Sequence, residues 1–341
     1  MPQPSALLAW LALHFLIGLS GTWLARRYAL RRRLLDLPDA RRSHAVPTPR
    51  GGGIAIVAAA LVAMAVTGSR LEALREAMAL QGLGLALVAG VGWLDDHRPL
   101  PAWPRLAVHG LAAALLALAM VRGGAPAALA AAGLVAAVAL VNAWNFLDGI
   151  DGLVASQAAL AAAGLALFAG AGPVWWIGLA LAAAACGFLP FNLPRARIFL
   201  GDVGSGAIGY LLAVLLAGTW MATPAIEGRL LALLPLTVCL ADTGLTLVAR
   251  LIGRERWWTA HVQHLYQRLA RRLGRHGPVT AVYAAVTAIM VVCALVTRFM
   301  PAPFIIVTVL TCWLAVLAAW LRLRSFPQSP EPAPDRTKAK D

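Results

Sequence analysis

The chain has 341 residues, 60% of them hydrophobic and only 13% charged, with a mean hydropathy of +0.75. A soluble domain carries roughly 25% charge, so a soluble globular protein is excluded. The net charge of +14 is then read as membrane topology rather than as nucleic-acid binding.

In chain order, apolar runs long enough to cross a ~30 Å hydrocarbon layer as helix fall near residues 5–24, 50–68, 77–94, 105–121, 126–143, 153–170, 173–190, 204–220, 230–249, 280–297 and 302–321. The expected fold is therefore an all-α integral membrane protein with about eleven spans. The first run has no basic residue before it and Arg26 and Arg27 after it, which reads as a retained helix and not a cleaved signal. If that helix runs outside to inside, loops 25–50, 95–104, 144–152, 191–203 and 250–279 and the tail face the cytoplasm. Of the 29 Lys and Arg residues, only Arg70, Arg75, Arg122, Arg229 and Arg298 fall on the opposite side. The bias of basic residues predicts the N-terminus outside and the C-terminus inside. Residues 1–324 read as one polytopic membrane domain. The Pro-rich, charged segment 325–341 reads as a disordered cytoplasmic tail.

The polar residues are not spread evenly. Asp95, Asp96, Asn142, Asn145, Asp148, Asp151, Asp202, Asp242, His261 and His264 all fall at or near the expected cytoplasmic ends of spans. Ionisable groups at membrane depth are costly, so their default reading is functional. Asp95 and Asp96 are adjacent carboxylates, which repel unless a cation or a shared proton lies between them. They suit a magnesium site, a phosphate-proton acceptor, or both.

The segment from Asn142 to Gly152 places Asn142, Asn145 and Asp148 three apart, followed by Asp151. Amide and carboxylate oxygens suit a hard cation such as Mg²⁺, and Gly149 and Gly152 allow close approach of backbone to a ligand. Phe199-Leu-Gly201-Asp202-Val-Gly204-Ser205-Gly206 stands just before a span. Glycines there would free helix N-terminal N–H groups to face phosphate. The stretch Asp36 to Gly53 is cationic and kinked, and Arg41, His44 and Arg50 are its candidates for clamping phosphate oxygens. His261 and His264 follow Arg250, Arg254 and Arg256 and precede Arg268. With no third ligand near, that pair reads as substrate contact rather than a zinc site. His14 and His109, alone in apolar runs, read as packing residues. So do the four cysteines, Cys186, Cys239, Cys293 and Cys312, which have no paired spacing.

Four stretches in this order resemble the polyprenyl-phosphate N-acetylhexosamine-1-phosphate transferase family (glycosyltransferase family 4), over about residues 10–320. They are Asp-x-Pro…Arg…His…Pro-Thr-Pro-Arg-x-Gly-Gly, the Asp-Asp pair, Asn-x-x-Asn-x-x-Asp-Gly-x-Asp-Gly-Leu, and Phe-Leu-Gly-Asp-x-Gly-Ser. The resemblance implies that an undecaprenyl-phosphate oxygen attacks the β-phosphorus of a UDP-N-acetylhexosamine, giving lipid-diphospho-sugar and UMP. It implies Mg²⁺, with Mn²⁺ as a substitute, held around Asn145 and Asp202. Asp95 or Asp96 would orient or deprotonate the lipid phosphate, and Asp148 and Asp151 would shape the nucleotide and diphosphate site. By the same resemblance Arg41, His44, Arg50, Asn142, Gly201, Ser205, Asp242, Arg250, His261, His264 and Arg268 are candidates for substrate contact. The implied setting is a bacterial inner membrane with the site facing the cytoplasm, membrane lipid as its surroundings and a homodimer as an open option.

One stretch departs from the family. Many members carry Asp-Arg-x-His-x-His-His-Arg-Leu in the last cytoplasmic loop. Here the positions read His261-Val262-Gln263-His264-Leu265-Tyr266-Gln267-Arg268-Leu269. The family recognises the sugar in that loop, and the pattern is more similar to the O-antigen-initiating branch. Some members of that branch take 6-deoxy amino sugars such as N-acetylfucosamine or N-acetylquinovosamine. Two competing readings are a UbiA-type intramembrane prenyltransferase and a lipid transporter. The first needs acids spaced by four, which Asp95-Asp96-His97-Arg98-Pro99 lacks. The second predicts polar groups near mid-bilayer.

Overall fold

The computed structural model describes residues 3–37, 46–256 and 261–325. In chain order the helices are α1 (Pro4–Arg32), α2 (Ile54–Arg70), α3 (Arg75–His97), α4 (Ala102–Arg122), α5 (Ala127–Leu147), α6 (Leu153–Ala169) and α7 (Pro173–Asn192). They continue as α8 (Asp202–Ala222), α9 (Ile226–Leu231), α10 (Thr237–Ile252), α11 (Leu265–Leu273), α12 (Gly277–Thr297) and α13 (Ala302–Arg324). Between α1 and α2, β1 (Leu35–Asp36) pairs antiparallel with β2 (Thr48–Pro49), with Leu35 opposite Pro49 and Asp36 opposite Thr48. Arg41, His44 and the tail beyond Ser325 lie outside the described residues.

Proline sets many of the boundaries. Pro4, Pro173 and Pro278 sit in the first turns of α1, α7 and α12, and Pro101, Pro126 and Pro301 stand just before α4, α5 and α13. There the missing N–H costs nothing and the fixed φ suits a helix start. The same property explains one departure from the expected spans. The run 230–249 is not one helix, because Pro235 lies in a 3₁₀ turn (Leu234–Leu236) that separates α9 from α10.

Among the described residues, nine helical segments are long and apolar enough to cross a membrane, with Ile226–Ile252 taken together. The apolar helices α2 and α6 are shorter, at 17 residues each. Large apolar side chains stand exposed along α12 and α13, among them Val282, Ile289, Val292, Phe304, Val307 and Leu314. Such a surface suits lipid and not water. The chain is an all-helical integral membrane protein.

At the centre runs α8, where every residue from Val203 to Ala217 is buried. Lipid supplies little hydrophobic drive between helices, so close packing must come from small residues. A Cβ on Gly53 would strike the Gly204 backbone, and one on Gly92 would strike the backbone of Asp202 and Val203. These two contacts bring the start of α2 and the last turns of α3 against the first turn of α8. The chain before α2 adds backbone pairing. Pro49 O accepts the Phe199 N–H at 2.8 Å, and the Gly52 and Gly53 N–H groups donate to Phe199 O and Leu200 O at 2.9 Å each. Two motifs far apart in sequence are thereby stitched together at one end of the bundle.

Candidate active site

The N-terminus of α8 is the centre of the site. A helix start leaves N–H groups without intrahelical partners. Here a carboxylate from another helix takes them: Asp96 Oδ1 accepts the Asp202 N–H at 3.1 Å and Asp96 Oδ2 the Val203 N–H at 3.2 Å. Arg50 Nε lies 3.9 Å from Asp96 Oδ1. The preceding residue, Gly201, has φ +75°, and a Cβ there would meet the Asp96 carboxylate and the Gly51 N. These helix-start N–H groups are therefore not turned toward a phosphate, as the glycine pattern led us to expect. Asp96 occupies them, and Gly201 serves its close approach.

With its backbone so held, the Asp202 side chain meets the other motifs. The Asn145 Nδ2 donates to Asp202 Oδ1 and, at 3.2 Å, to the buried Ser205 Oγ one turn along α8. Arg105 Nη1 lies 2.5 Å from Asp95 Oδ2 and 3.7 Å from Asp202 Oδ2, while Asp95 Oδ1 accepts the Leu100 N–H at 2.5 Å. One arginine thus bridges two carboxylates from α3 and α8. Sequence reasoning missed Arg105, because it opens an apolar run and reads there as a topology determinant. Its signal is position: a cation ten residues after Asp95, across the short turn into α4.

The oxygens gathered here belong to Asp95, Asn145, Asp202 and Ser205, an oxygen-only set of the kind that suits Mg²⁺. The Asn145 amide carries oxygen and nitrogen in one plane, so a half-turn would present its oxygen beside Asp202. No group of three or more His, Cys, Asp or Glu side chains with metal-holding spacing occurs among the described residues. One or two protein ligands supplemented by waters and phosphate oxygens is the usual Mg²⁺ arrangement.

Asn142 stands apart, its Nδ2 donating to Val138 O one turn back at 2.7 Å. Beyond Asn145 the loop 148–152 carries the next two acids. Asp148 is half-buried, and burial, followed by the charges of Asp96, Asp36 and Asp151, pushes its carboxyl up to about 7. Gly152 has φ +74°, and its N–H donates to Asn192 Oδ1 at 2.7 Å. The Asn192 Nδ2 in turn donates to Ile198 O at 2.9 Å.

Against this loop, where a Cβ on Gly149 would meet its ring, Tyr266 of α11 donates its hydroxyl to Phe146 O at 2.9 Å. The His264 ring lies near-parallel to Phe146 and Tyr266, with centroids 6.0 and 5.9 Å away, and 4.8 Å from His261. Burial, the largest cause, lowers both imidazoles to about 4, helped by the Arg250 charge. They are neutral rings forming a π surface beside the acidic loop. Asp242, expected at the substrate, does other work. It accepts the Leu265 N–H at 2.7 Å, the Tyr266 N–H at 3.1 Å and the Tyr283 hydroxyl at 2.8 Å. It caps α11 as Asp96 caps α8. The buried Arg250 binds Glu255 at 3.2 Å and Arg256 O at 2.7 Å, shaping the same loop. Arg268 lies within α11, half-buried.

The profile of the family described as Glycosyl transferase family 4 matches residues 78–219. The Mycobacterium tuberculosis (strain ATCC 25618 / H37Rv) decaprenyl-phosphate N-acetylglucosaminephosphotransferase is 31% identical over 288 residues, covering 72% of this chain and 70% of the relative. This chain belongs to glycosyl transferase family 4. A Bacillus subtilis (strain 168) relative, described as a probable undecaprenyl-phosphate N-acetylglucosaminyl 1-phosphate transferase, is 25% identical over 267 residues, 73% of each chain. The Yersinia pestis undecaprenyl-phosphate alpha-N-acetylglucosaminyl 1-phosphate transferase is 28% identical over 248 residues, 65% of this chain and 64% of the relative. Membership sets aside the prenyltransferase and transporter readings. The family profile covers α8 as far as Thr219 and the Asp95, Arg105, Asn145 and Asp202 cluster. It ends before the His261–Arg268 loop.

Proposed function

We propose that this protein transfers an N-acetylhexosamine-1-phosphate from a UDP-sugar to undecaprenyl phosphate, releasing UMP, and so initiates an O-antigen or related surface polysaccharide. The observation that carries the reading is the convergence of Asp95, Asn145 and Asp202 with Arg105 at the start of α8, in a chain whose relatives are named for this class of transfer. An oxygen of the lipid phosphate bonds to the β-phosphorus, and the bond from that phosphorus to the bridging oxygen breaks. The bridging oxygen leaves with UMP. A phosphate monoester has its second pKa near about 6, so the attacking group is already largely ionised at neutral pH.

Asn145 and Asp202 would hold Mg²⁺, or Mn²⁺ in its place, with Asp95 beside them. That ion supplies charge neutralisation for the diphosphate and the departing oxygen. Arg105 adds a fixed positive charge between Asp95 and Asp202. Asp96 acts by holding the first turn of α8, and with it Asp202, in place. Loop 148–152 and the His264 π surface take the nucleotide-sugar, and Arg50, beside Asp96, is a phosphate contact, as are Arg41 and His44 by family resemblance, outside the described residues. The rings of His261 and His264, neutral at pH 7, leave sugar recognition to shape and hydrogen bonding rather than charge.

The same reading orients the chain in a bacterial inner membrane. Counting α2 and α6 with the nine longer segments gives eleven crossings. Basic residues concentrate at the end that carries the site, so that end faces the cytoplasm, with the N-terminus periplasmic and the C-terminus cytoplasmic. The test is a panel of UDP-amino sugars offered to purified protein with Mg²⁺ and undecaprenyl phosphate, with UMP measured and the lipid product weighed by mass spectrometry. One donor should yield UMP and a lipid-diphospho-sugar. Release of no UMP from any donor would refute the proposal.

A further inference from the structure

Loop 148–152 is gripped by the start of α12, an element that none of the four motifs contains. His276 immediately precedes that helix. Its Nδ1 lies 3.2 Å from Asp151 Oδ2 and 3.3 Å from the Asp151 main-chain N. One turn on, the Thr280 hydroxyl donates to Asp151 O at 2.7 Å. The N–H, the carboxylate and the carbonyl of Asp151 are thus all met from one helix start. A ring nitrogen cannot serve both neighbours at once. Protonated, Nδ1 donates to the carboxylate; bare, it accepts from the N–H. In either state the ring is tied to Asp151.

The partners of Asp151 are few. Among the described residues His276 is the only side chain paired with its carboxylate, through Oδ2. Oδ1 is left to accept from a ligand hydroxyl or N–H. The next residue is fixed from another helix, by Asn192 of α7 on the Gly152 N–H. A five-residue loop held at Asp151 and Gly152 carries Asp148 at its other end, next to the centre formed by Asp95, Asn145 and Asp202. Displacement of such a loop weakens donor contacts made equally in the ground and transition states, which raises KM and leaves kcat unchanged.

We infer that His276 is a positioning residue for the nucleotide-sugar, acting through Asp151 to set the geometry of loop 148–152. This rests on the transferase reading above. It assigns to α12 a part in donor binding and none in lipid-phosphate binding, because among the described residues His276 and Thr280 contact Asp151 and neither Asp95 nor Arg105.

The test uses the full-length protein with Mg²⁺, comparing His276→Ala, His276→Asn and Thr280→Val. His276→Ala should raise KM for the UDP-sugar about tenfold or more, with kcat and KM for undecaprenyl phosphate within about twofold of wild type. His276→Asn, whose amide is both donor and acceptor, should recover most of the loss. A purely structural role would lower stability and kcat together and would not be rescued in this selective way. An unchanged donor KM in His276→Ala, a fall in kcat alone, or an Asn variant no better than Ala would overturn the inference. If His276→Ala fails to insert, Thr280→Val decides: it must raise the donor KM, and an unchanged value overturns the inference. Calorimetric binding of UMP reads the same loss without turnover. Wild-type protein that binds UMP but uses no UDP-sugar refutes the transferase reading, whereas equal UMP affinity in wild type and His276→Ala refutes only the role of His276.

Discussion

The Asp202 carboxylate is where residues from α3, α4 and α5 meet α8, and single substitutions around it have separable consequences. Asp202→Ala should lower turnover by several orders of magnitude with normal membrane insertion, since its carboxylate contacts Asn145 and Arg105 rather than anything needed for folding. Near-normal activity would contradict the proposed role of Asp202 in holding Mg²⁺. Arg105→Gln should cost about 10²-fold or more in kcat, with partial recovery in Arg105→Lys, because a preorganised charge is lost and then partly restored. Asp148 offers a pH test on the protein without Mg²⁺ or substrate. Its carboxyl is raised to about 7 in the fold from an ordinary value of 3.8. The folded state therefore favours the protonated form, and that stabilising contribution is lost as pH rises through about 7. The melting temperature should fall between pH 5.5 and 8.5 in wild type and fall less in Asp148→Asn; identical pH dependence in the two would contradict the assignment. Of these residues, the acids and Asn145 were legible in the sequence because polar groups are conspicuous in apolar runs. Arg105 was not, because an arginine at the end of a span has an adequate explanation in topology alone.

At the scale of elements, the two helix starts that frame the site are each capped by a buried aspartate from another helix: Asp96 on α8 and Asp242 on α11. Losing a buried acceptor leaves N–H groups unsatisfied, at about 1–3 kcal/mol each. Asp242→Ala should accordingly loosen α11, lowering the melting temperature and raising the donor KM, while the KM for lipid phosphate stays nearly constant. Thermal unfolding and two-substrate kinetics on one preparation check both. An equal rise in both KM values would mean that α11 does not serve the donor alone. Sequence reading found the helices because their apolar runs are long. It missed the break at Leu234–Leu236, since an apolar run hides a proline from hydropathy. It also took the glycines before α8 as phosphate-facing, because only the fold reveals that Asp96 already occupies those N–H groups.

At the scale of the whole molecule, the central α8 explains why motifs spread over more than a hundred residues meet. Its first turn is approached by Gly53 and Gly92, neither of which has a side chain to hold the helices apart. The one-sidedness of the polar groups was legible from sequence, as was the family. The tertiary anchors on loop 148–152, Asn192 and His276, were not, because nothing local marks them. The central claim is that the sugar travels together with a phosphate, and the fate of the donor's β-phosphorus tests it most directly. With a UDP-amino sugar labelled at that phosphorus, undecaprenyl phosphate and Mg²⁺, the label should pass into the lipid fraction and the released nucleotide should be unlabelled UMP. Label retained on released UDP, with sugar alone on the lipid, would contradict the account.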